Sequence, residues 1–340
     1  MNLSRIVTAA AVAVCVVAGV AWAGTSERLG TGGAPELRMP IGARGVALAG
    51  ADVGEVNGTE ALFYNPAGLA NTEAATEVMF SHTDYIAGQS VNFIGVNQSM
   101  GGVGRIGLSV KVMSVGDITR TSEQAPDGTG EVFSPTFGVF GLTYARQMTD
   151  RVNFGGTVSY INEKILQETA SGVAFDFGFQ YETGYQGVRL GMAMKNFGGN
   201  LEYSGSDFEH NLLLPGDDPQ SGNRTVSTGS AAFELPSSFQ FGAAYPVMRG
   251  ANALSLYGLY QNNSYAVDDG RLGAEWVYKK QGALRLGYMF NSNDSDLFGL
   301  SYGLGLKVGM GSSNLWFDYA GQHVSDFFND VQHFAVRMTF

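Results

Sequence analysis

The sequence predicts an all-β fold: a 14-stranded antiparallel transmembrane β-barrel with an N-terminal plug segment. Three observations predict it. Charge is sparse while glycine and aromatics abound, a secretory leader is followed by no apolar run of helix length, and period-two alternation persists from about residue 75 to the end. Charged residues make up 15% of the 340 residues and hydrophobic ones 44%, against about 25% charged in soluble domains. Glycine supplies 48 positions, about 14% where about 7% is usual. Only 9 prolines, with 15 Tyr, 22 Phe and 3 Trp, exclude collagen and an aromatic-poor disordered chain. A net charge of −11 has the wrong sign for a nucleic-acid binder.

Residues 1–23 read as a signal peptide. Arg5 gives the basic start, Ile6 to Val20 the apolar stretch, and Ala21-Trp22-Ala23 the cleavage site. The stretch is short of the ~20 residues that span a bilayer as a helix. Cys15 is the sole cysteine, and Val14 before it does not suit a lipoprotein signal. Cleavage would leave 19 basic against 31 acidic residues and no thiol, so disulfide and thiolate chemistry are excluded. A secreted chain without an apolar helix can still enter a membrane as a closed barrel, in which the strands satisfy one another's backbone groups.

The alternation carries the barrel. Phe298, Leu300, Tyr302, Leu304, Leu306 and Val308 share one face; Gly299, Ser301, Gly303, Gly305, Lys307 and Gly309 share the other. Val173, Phe175, Phe177, Phe179 and Tyr181 alternate with small and polar residues in the same way. A soluble sandwich also alternates, but seldom over so many strands with so little charge. Turn signals divide the region into strands near 75–86, 89–99, 102–115, 133–147, 152–167, 172–183, 187–197, 236–246, 252–265, 270–280, 282–291, 296–309, 312–322 and 331–340. Each has the roughly 9–11 residues a tilted membrane strand needs, and the number is even, as in bacterial single-chain barrels. Both long gaps, 116–132 and 198–235, follow odd-numbered strands. With a periplasmic start they become outside loops, leaving short periplasmic turns. Phe334, Val336, Met338 and Phe340 share a face of the last strand, and the terminal aromatic Phe340 resembles the signal read by the barrel-assembly machinery.

The inward face is rich in glycine: Gly107, Gly155, Gly178, Gly191, Gly242, Gly273, Gly287 and others. Such small residues leave room for water, a ligand or a plug. Residues 24–74 lack sustained alternation and fit the last of these, giving domains at 1–23, 24–74 and 75–340. Inward charges comprise Arg105, Lys111, Arg189, Lys195, Arg271, Arg285, Lys307 and Arg337 against Asp176, Glu182, Glu275 and Asp318. They serve either internal pairing in a polar lumen or selection of an anionic ligand. The two long loops are acidic, which suits a solvated rim or divalent-cation bridging to outer-membrane lipid. Leu212-Leu213-Leu214-Pro215 forms an apolar patch within the second, fit for a lipid or a partner.

The N-terminal region holds the most specific stretch: Gly42-Ala43-Arg44-Gly45-Val46-Ala47-Leu48-Ala49-Gly50-Ala51, then Glu60-Ala61-Leu62-Phe63-Tyr64-Asn65-Pro66-Ala67-Gly68-Leu69-Ala70. Asn65-Pro66 favours an extended or turn backbone, and Gly68 permits close approach. An ordinary turn before the first strand would account for the same residues. The stretch resembles the N-terminal segment of the PorV/PorQ family, within the wider FadL-like group of outer-membrane barrels. Val46 and Leu48 depart from the pair many relatives carry. The resemblance implies a localisation in the outer membrane of a Gram-negative-type cell. It also implies a role in protein export or surface delivery, through a type IX-like secretion channel or its cargo. FadL-like passive transport of hydrophobic small molecules, such as fatty acids, is the alternative.

Enzyme chemistry finds no support. Gly102-Val103-Gly104-Arg105-Ile106-Gly107 matches a dinucleotide string, but strand alternation follows where that motif needs a helix. His82, His210, His323 and His333 are scattered without metal-ligand spacing, and neighbouring His323, Ser325 and Asp326 do not make a triad by adjacency. No cofactor is expected.

Overall fold

The structure, a computed structural model, describes residue 30 and residues 32–212, 224–291, 297–325 and 328–340. The signal peptide, Leu213, Leu214 and Asp326 lie outside the described residues. Fourteen strands close into one antiparallel barrel. They are β1 Thr76–Asp84, β2 Ser90–Ser99, β3 Arg105–Ser114, β4 Thr136–Thr149, β5 Val152–Ile165, β6 Glu168–Glu182 and β7 Arg189–Gly198. The second half comprises β8 Ser238–Met248, β9 Ala253–Asn263, β10 Asp269–Tyr278, β11 Gly282–Asn291, β12 Phe298–Met310, β13 Ser313–Val324 and β14 Val331–Thr339. Each strand pairs with its sequence neighbours, and β1 pairs with β14 to close the ring. The expected strands are all present. The largest shift is at β6, which begins at Glu168 rather than 172, because Thr169 to Ser171 pair with β5 across a two-residue hairpin turn. Gly102 to Gly107 runs from a short turn into β3, which is strand geometry.

Alternation becomes inside and outside. On β6, Phe175, Phe177, Phe179 and Tyr181 are exposed, while Ala174, Asp176, Gly178 and Gln180 are buried. On β12, Leu300, Leu304 and Leu306 face out and Ser301 faces in. The exposed ring of Phe, Leu, Tyr and Val around the wall is the apolar band that hydrocarbon requires of a barrel's outer face. Two connections are long, 115–135 and 199–237, and both follow odd-numbered strands. The opposite end has only short turns. A two-stranded hairpin pairs Ile118–Thr119 with Val132–Phe133 in the first long loop. In the second, Glu209–Leu212 pairs with Arg224–Ser227, placing the Leu212 backbone opposite Arg224.

Residues 32–74 lie inside the wall. They form short turns at Pro35–Leu37, Gly58–Glu60 and Pro66–Asn71, with two brief helices, α1 Ala43–Ala47 and α2 Ala61–Tyr64. The path begins at the long-loop end, where Ala34 and Leu37 pack with Leu201 and Leu235. It descends past α1, which touches β12, β13, β11 and β14, and joins β1 at the short-turn end.

The closing seam ends on Phe340. Its N–H donates to the Thr76 carbonyl at 2.9 Å, and its carbonyl accepts from the Thr76 N–H at 3.4 Å. The ring is exposed on the outer face. Deleting Phe340 removes that last pair of seam bonds, whereas Phe340→Leu keeps them. Deletion is expected to lower the folded-to-unfolded ratio about fivefold for each ~1 kcal/mol of lost seam hydrogen bonding, and Phe340→Leu to lower it less. Heat-modifiable gel mobility checks both; equal folding of the deletion and the parent would overturn the expectation.

Candidate functional site

Wall glycines meet the inner segment wherever its backbone presses closest. A Cβ on Gly178 would lie 2.0 Å from Asn65 Oδ1, and one on Gly155 2.4 Å from the Pro66 carbonyl. One on Gly191 would meet the Val53 carbonyl at 2.4 Å, on Gly287 the Ala49 nitrogen at 2.5 Å, and on Gly303 the Ala47 Cβ at 2.5 Å. Side chains there would sterically exclude the inner segment. Gly309 has open space around it, so its small size has no such reason.

The Asn65–Leu69 stretch docks on this surface. Asn65 is fully buried. Its Oδ1 accepts from the Ala67 N–H at 3.1 Å, capping the Pro66–Asn71 turn. Its Nδ2 donates to the Val53 carbonyl at 2.9 Å and to the Phe179 carbonyl at 3.1 Å. One side chain thus satisfies a turn, a neighbouring loop and the wall. Gly68 lies so close to Val56 that a Cβ would stand 2.1 Å from its carbonyl. Pro66, Ala67 and Leu69 are buried with it.

Below the middle of the lumen, charge ties the segment to the wall. Arg44, on α1 with Ala43 and Gly45, forks onto Glu275 through Nε and Nη2, both at 3.1 Å, and donates through Nη1 to Asp52 at 2.5 Å. Glu275 also accepts from Arg285 at 2.7 Å and from Tyr257 at 3.2 Å. Arg285 then donates to Asp318 at 2.6 Å. Charges alternate along this chain from Asp52 to Asp318. Glu60 stands 3.8 Å from Arg44; burial pushes its carboxyl up to about 7, against the pull of Arg44. Removing one member of such a buried chain typically costs about 3–5 kcal/mol, since the others keep their desolvation penalty.

The remaining inward cations have local partners. Arg105 donates to Asn97 and to the Thr72 and Ala75 carbonyls, Arg189 to Glu55 at 2.9 Å, and Arg271 to Asp269 at 2.6 Å. Lys307 and Arg337 lie over the Trp316 ring at the short-turn end. Among the described residues, Arg189 is the wall cation that pairs with an acid of the inner segment, Glu55, whereas Asp52 and Glu60 face that segment's own Arg44.

Lys111 and Lys195 differ. Both are buried and come from strands β3 and β7, with their ammonium groups 4.4 and 3.6 Å from the Phe63 ring centroid. Lys111 also donates to the Met39 carbonyl at 3.2 Å. Neither belongs to an ion pair among the described residues. Lys195 sits on a β-bulge: the register of β6 and β7 shifts between Phe175 and Phe177, Asn196 takes φ of 58°, and the Asp176 carboxylate accepts the Asn196 N–H at 2.6 Å. Strand parity already points Lys195 inward, and the bulge turns Asn196 inward beside it.

These groups border a cavity of about 310 Å³ at the long-loop end. Phe63, Tyr64, Val46 and Gly50 of the inner segment line it, with Tyr85, Tyr265, Met289 and Phe298 from the wall and its loops. Arg38 lies over the Tyr265 ring at 4.8 Å, and Arg271 and Lys195 complete its cations. Phe63, Arg38 and Tyr265 were not legible as site residues, since Phe63 sits within a motif whose other members dock and the other two stand alone.

A carboxyl pair closes the segment's upper end. Glu36 is fully buried. Burial first, and the Glu163 carboxylate second, push its carboxyl well above the ordinary range, with Lys111 opposing. Glu163 in turn accepts from the Tyr203 hydroxyl of the long loop.

No family profile matches this sequence, and no curated protein matches it. Solved structures share its fold. The Ralstonia pickettii toluene transporter TbuX aligns with a TM-score of 0.59 at 12% identity, over 88% of this chain and 98% of its own. A Pseudomonas aeruginosa FadL homologue aligns at 0.57 and 12% identity, over 89% and 98%. The P. putida toluene transporter TodX aligns at 0.55 and 12%, over 88% and 96%. The chain thus has a FadL-like barrel fold.

Two expectations follow from the docking geometry. Gly178→Ala drives a methyl into Asn65 Oδ1 and should destabilise the barrel by about 1–3 kcal/mol. Asn65→Ala in the same chain should relieve part of that, so the double variant loses less than the two single losses added; strict additivity in detergent unfolding would contradict the contact. For Glu36, a raised native pKa means that the native state holds more protons than the unfolded state above the ordinary value of 4.5. Its stabilising contribution is complete below that value and is lost as pH rises through the raised one. Glu36→Gln should flatten this fall in stability between acid and neutral pH, as read from unfolding midpoints; an unchanged pH profile would count against it.

Proposed function

We propose that this chain is an outer-membrane channel for passive uptake of hydrophobic small molecules, with residues 32–74 as its plug. The observation that carries this reading is the cavity at the long-loop end, walled by Phe63, Tyr64, Tyr85, Tyr265, Met289 and Phe298. An aromatic recess open towards one end of a lipid-embedded barrel is a collection point for apolar solutes. The long loops place that end outside the cell. Below the recess, residues 52–74 fill the lumen against Gly155, Gly178 and Gly191, so a solute passes when the plug shifts. That two solved barrels of this fold are toluene transporters supports the same reading.

Export or surface delivery of proteins is the second reading, favoured by the Gly42–Ala51 and Glu60–Ala70 resemblance. In the lumen those residues are mostly buried and engaged with the wall. They offer little surface to a secretion channel or cargo, which weighs towards uptake.

Uptake is tested in a Gram-negative host lacking its own hydrophobic-uptake barrels. Cells producing the chain should take up radiolabelled toluene faster than vector controls, and Ser238→Trp, which fills the cavity mouth, should remove the gain at equal barrel levels. Uptake no faster than the control would overturn the proposal. So would stoichiometric recovery of a secretion channel or exported protein from gently solubilised membranes.

A further inference from the structure

We infer that the cavity selects a compact aromatic acid, with Lys195 receiving its carboxylate and the surrounding rings its arene. This rests on the reading of the cavity as an uptake site and adds the charge and shape of what enters.

The starting point is a buried cation that makes no salt bridge among the described residues. Lys195 is 6% exposed and lines the cavity, yet no ion pair among the described residues includes it. Asp176, which accepts the Asn196 N–H at 2.6 Å, attracts the ammonium from beyond salt-bridge distance. What Lys195 has instead is the Phe63 ring, 3.6 Å from the ammonium. A ring face offsets part of the cost of a buried charge, but less than an anion with hydrogen bonds does. The bulge next to the lysine is itself held, since Asn196 Nδ2 donates to the Pro236 carbonyl at 3.0 Å. Lys195 is therefore a positioned cation rather than a solvated one.

The lining has a matching sign. Among the described residues, none that lines the cavity is acidic. Arg271 is already committed to Asp269, but Arg38 rests on Tyr265 and adds a second positive charge at the mouth. A neutral arene would fill the apolar space and leave Lys195 unmet; an arene carboxylate meets both demands.

Size sets the scale of the arene. An apolar cavity of about 150 Å³ holds one benzene, so about 310 Å³ suits a fused bicyclic acid or a substituted monocyclic one.

The test uses the full mature barrel in lipid nanodiscs at neutral pH, with 2-naphthoate and its neutral isostere 2-naphthamide as probes. Equilibrium dialysis against empty nanodiscs gives each affinity. The expected result is saturable binding of 2-naphthoate about tenfold or more tighter than 2-naphthamide, as one charge-assisted hydrogen bond supplies. Lys195→Gln is expected to lose that preference and Lys195→Arg to keep it, each measured only on protein with the mobility of a folded barrel. Equal binding of the two probes by the parent chain would overturn the carboxylate assignment and leave hydrophobic uptake standing. A preference that survives in Lys195→Gln would overturn it as well. Failure of both probes to bind would remove the aromatic-acid inference, and toluene uptake would then decide separately whether the channel reading stands.

Discussion

Closing a sheet of 14 strands leaves a lumen that the wall's own side chains cannot fill, and the rest of this structure follows from that constraint. Eight strands give an interior that side chains just occupy; a larger ring must hold water, ligand or more chain. Here the chain itself supplies the filling. Residues 32–74 bring their own unpaired backbone groups into the lumen, and these need partners just as the wall's do. Asn65 answers for several at once, bonding the Ala67 N–H and the carbonyls of Val53 and Phe179. Gln180 answers for one more, donating to the Val56 carbonyl at 2.9 Å, and shares the Val53 carbonyl at 3.1 Å.

Filling by backbone explains the glycines. A helix or side-chain layer would stand off from the wall, whereas an irregular segment can approach it closely if the wall has no Cβ at the contact. Gly155, Gly178, Gly191 and Gly287 mark those contacts. The same close fit leaves charged groups without water, so they are paired in a chain running from Asp52 through Arg44, Glu275 and Arg285 to Asp318. A buried ionic chain of this kind specifies one position for the segment more than it stabilises the fold.

The wall was legible because its periodicity is local. Each strand announces itself through alternation such as Phe175 to Tyr181, and the turns fall between. Inward glycine and charge were legible for the same reason: a residue's face follows from its parity. What they meet was not. That Arg44 reaches Glu275 depends on a contact across 231 residues of sequence, and no local pattern encodes it. The bulge at Lys195 and Asn196 was hidden for a related reason. It breaks parity, so counting by twos puts Asn196 on the lipid face, where the structure has it buried in the lumen. Phe63 was obscured differently, since its neighbours Tyr64 and Asn65 dock against the protein while its ring alone meets the two lysines.

The two ends of the lumen are built for different tasks. Towards the short turns, charge is matched group for group and the backbone is pressed against glycine, which resists opening. Towards the long loops, Lys195 makes no salt bridge among the described residues, and Phe63 and Tyr64 face open space in the cavity. An interior kept for stability alone would gain by pairing that lysine or replacing it with an apolar residue, because an unpartnered buried cation is costly. Its position on a bulge held by Asp176 and Pro236 means that the local backbone is shaped around it. The left-handed Asn196 sets a second polar side chain beside the ammonium at the recess, and that is the arrangement of a binding site rather than of a sealed plug.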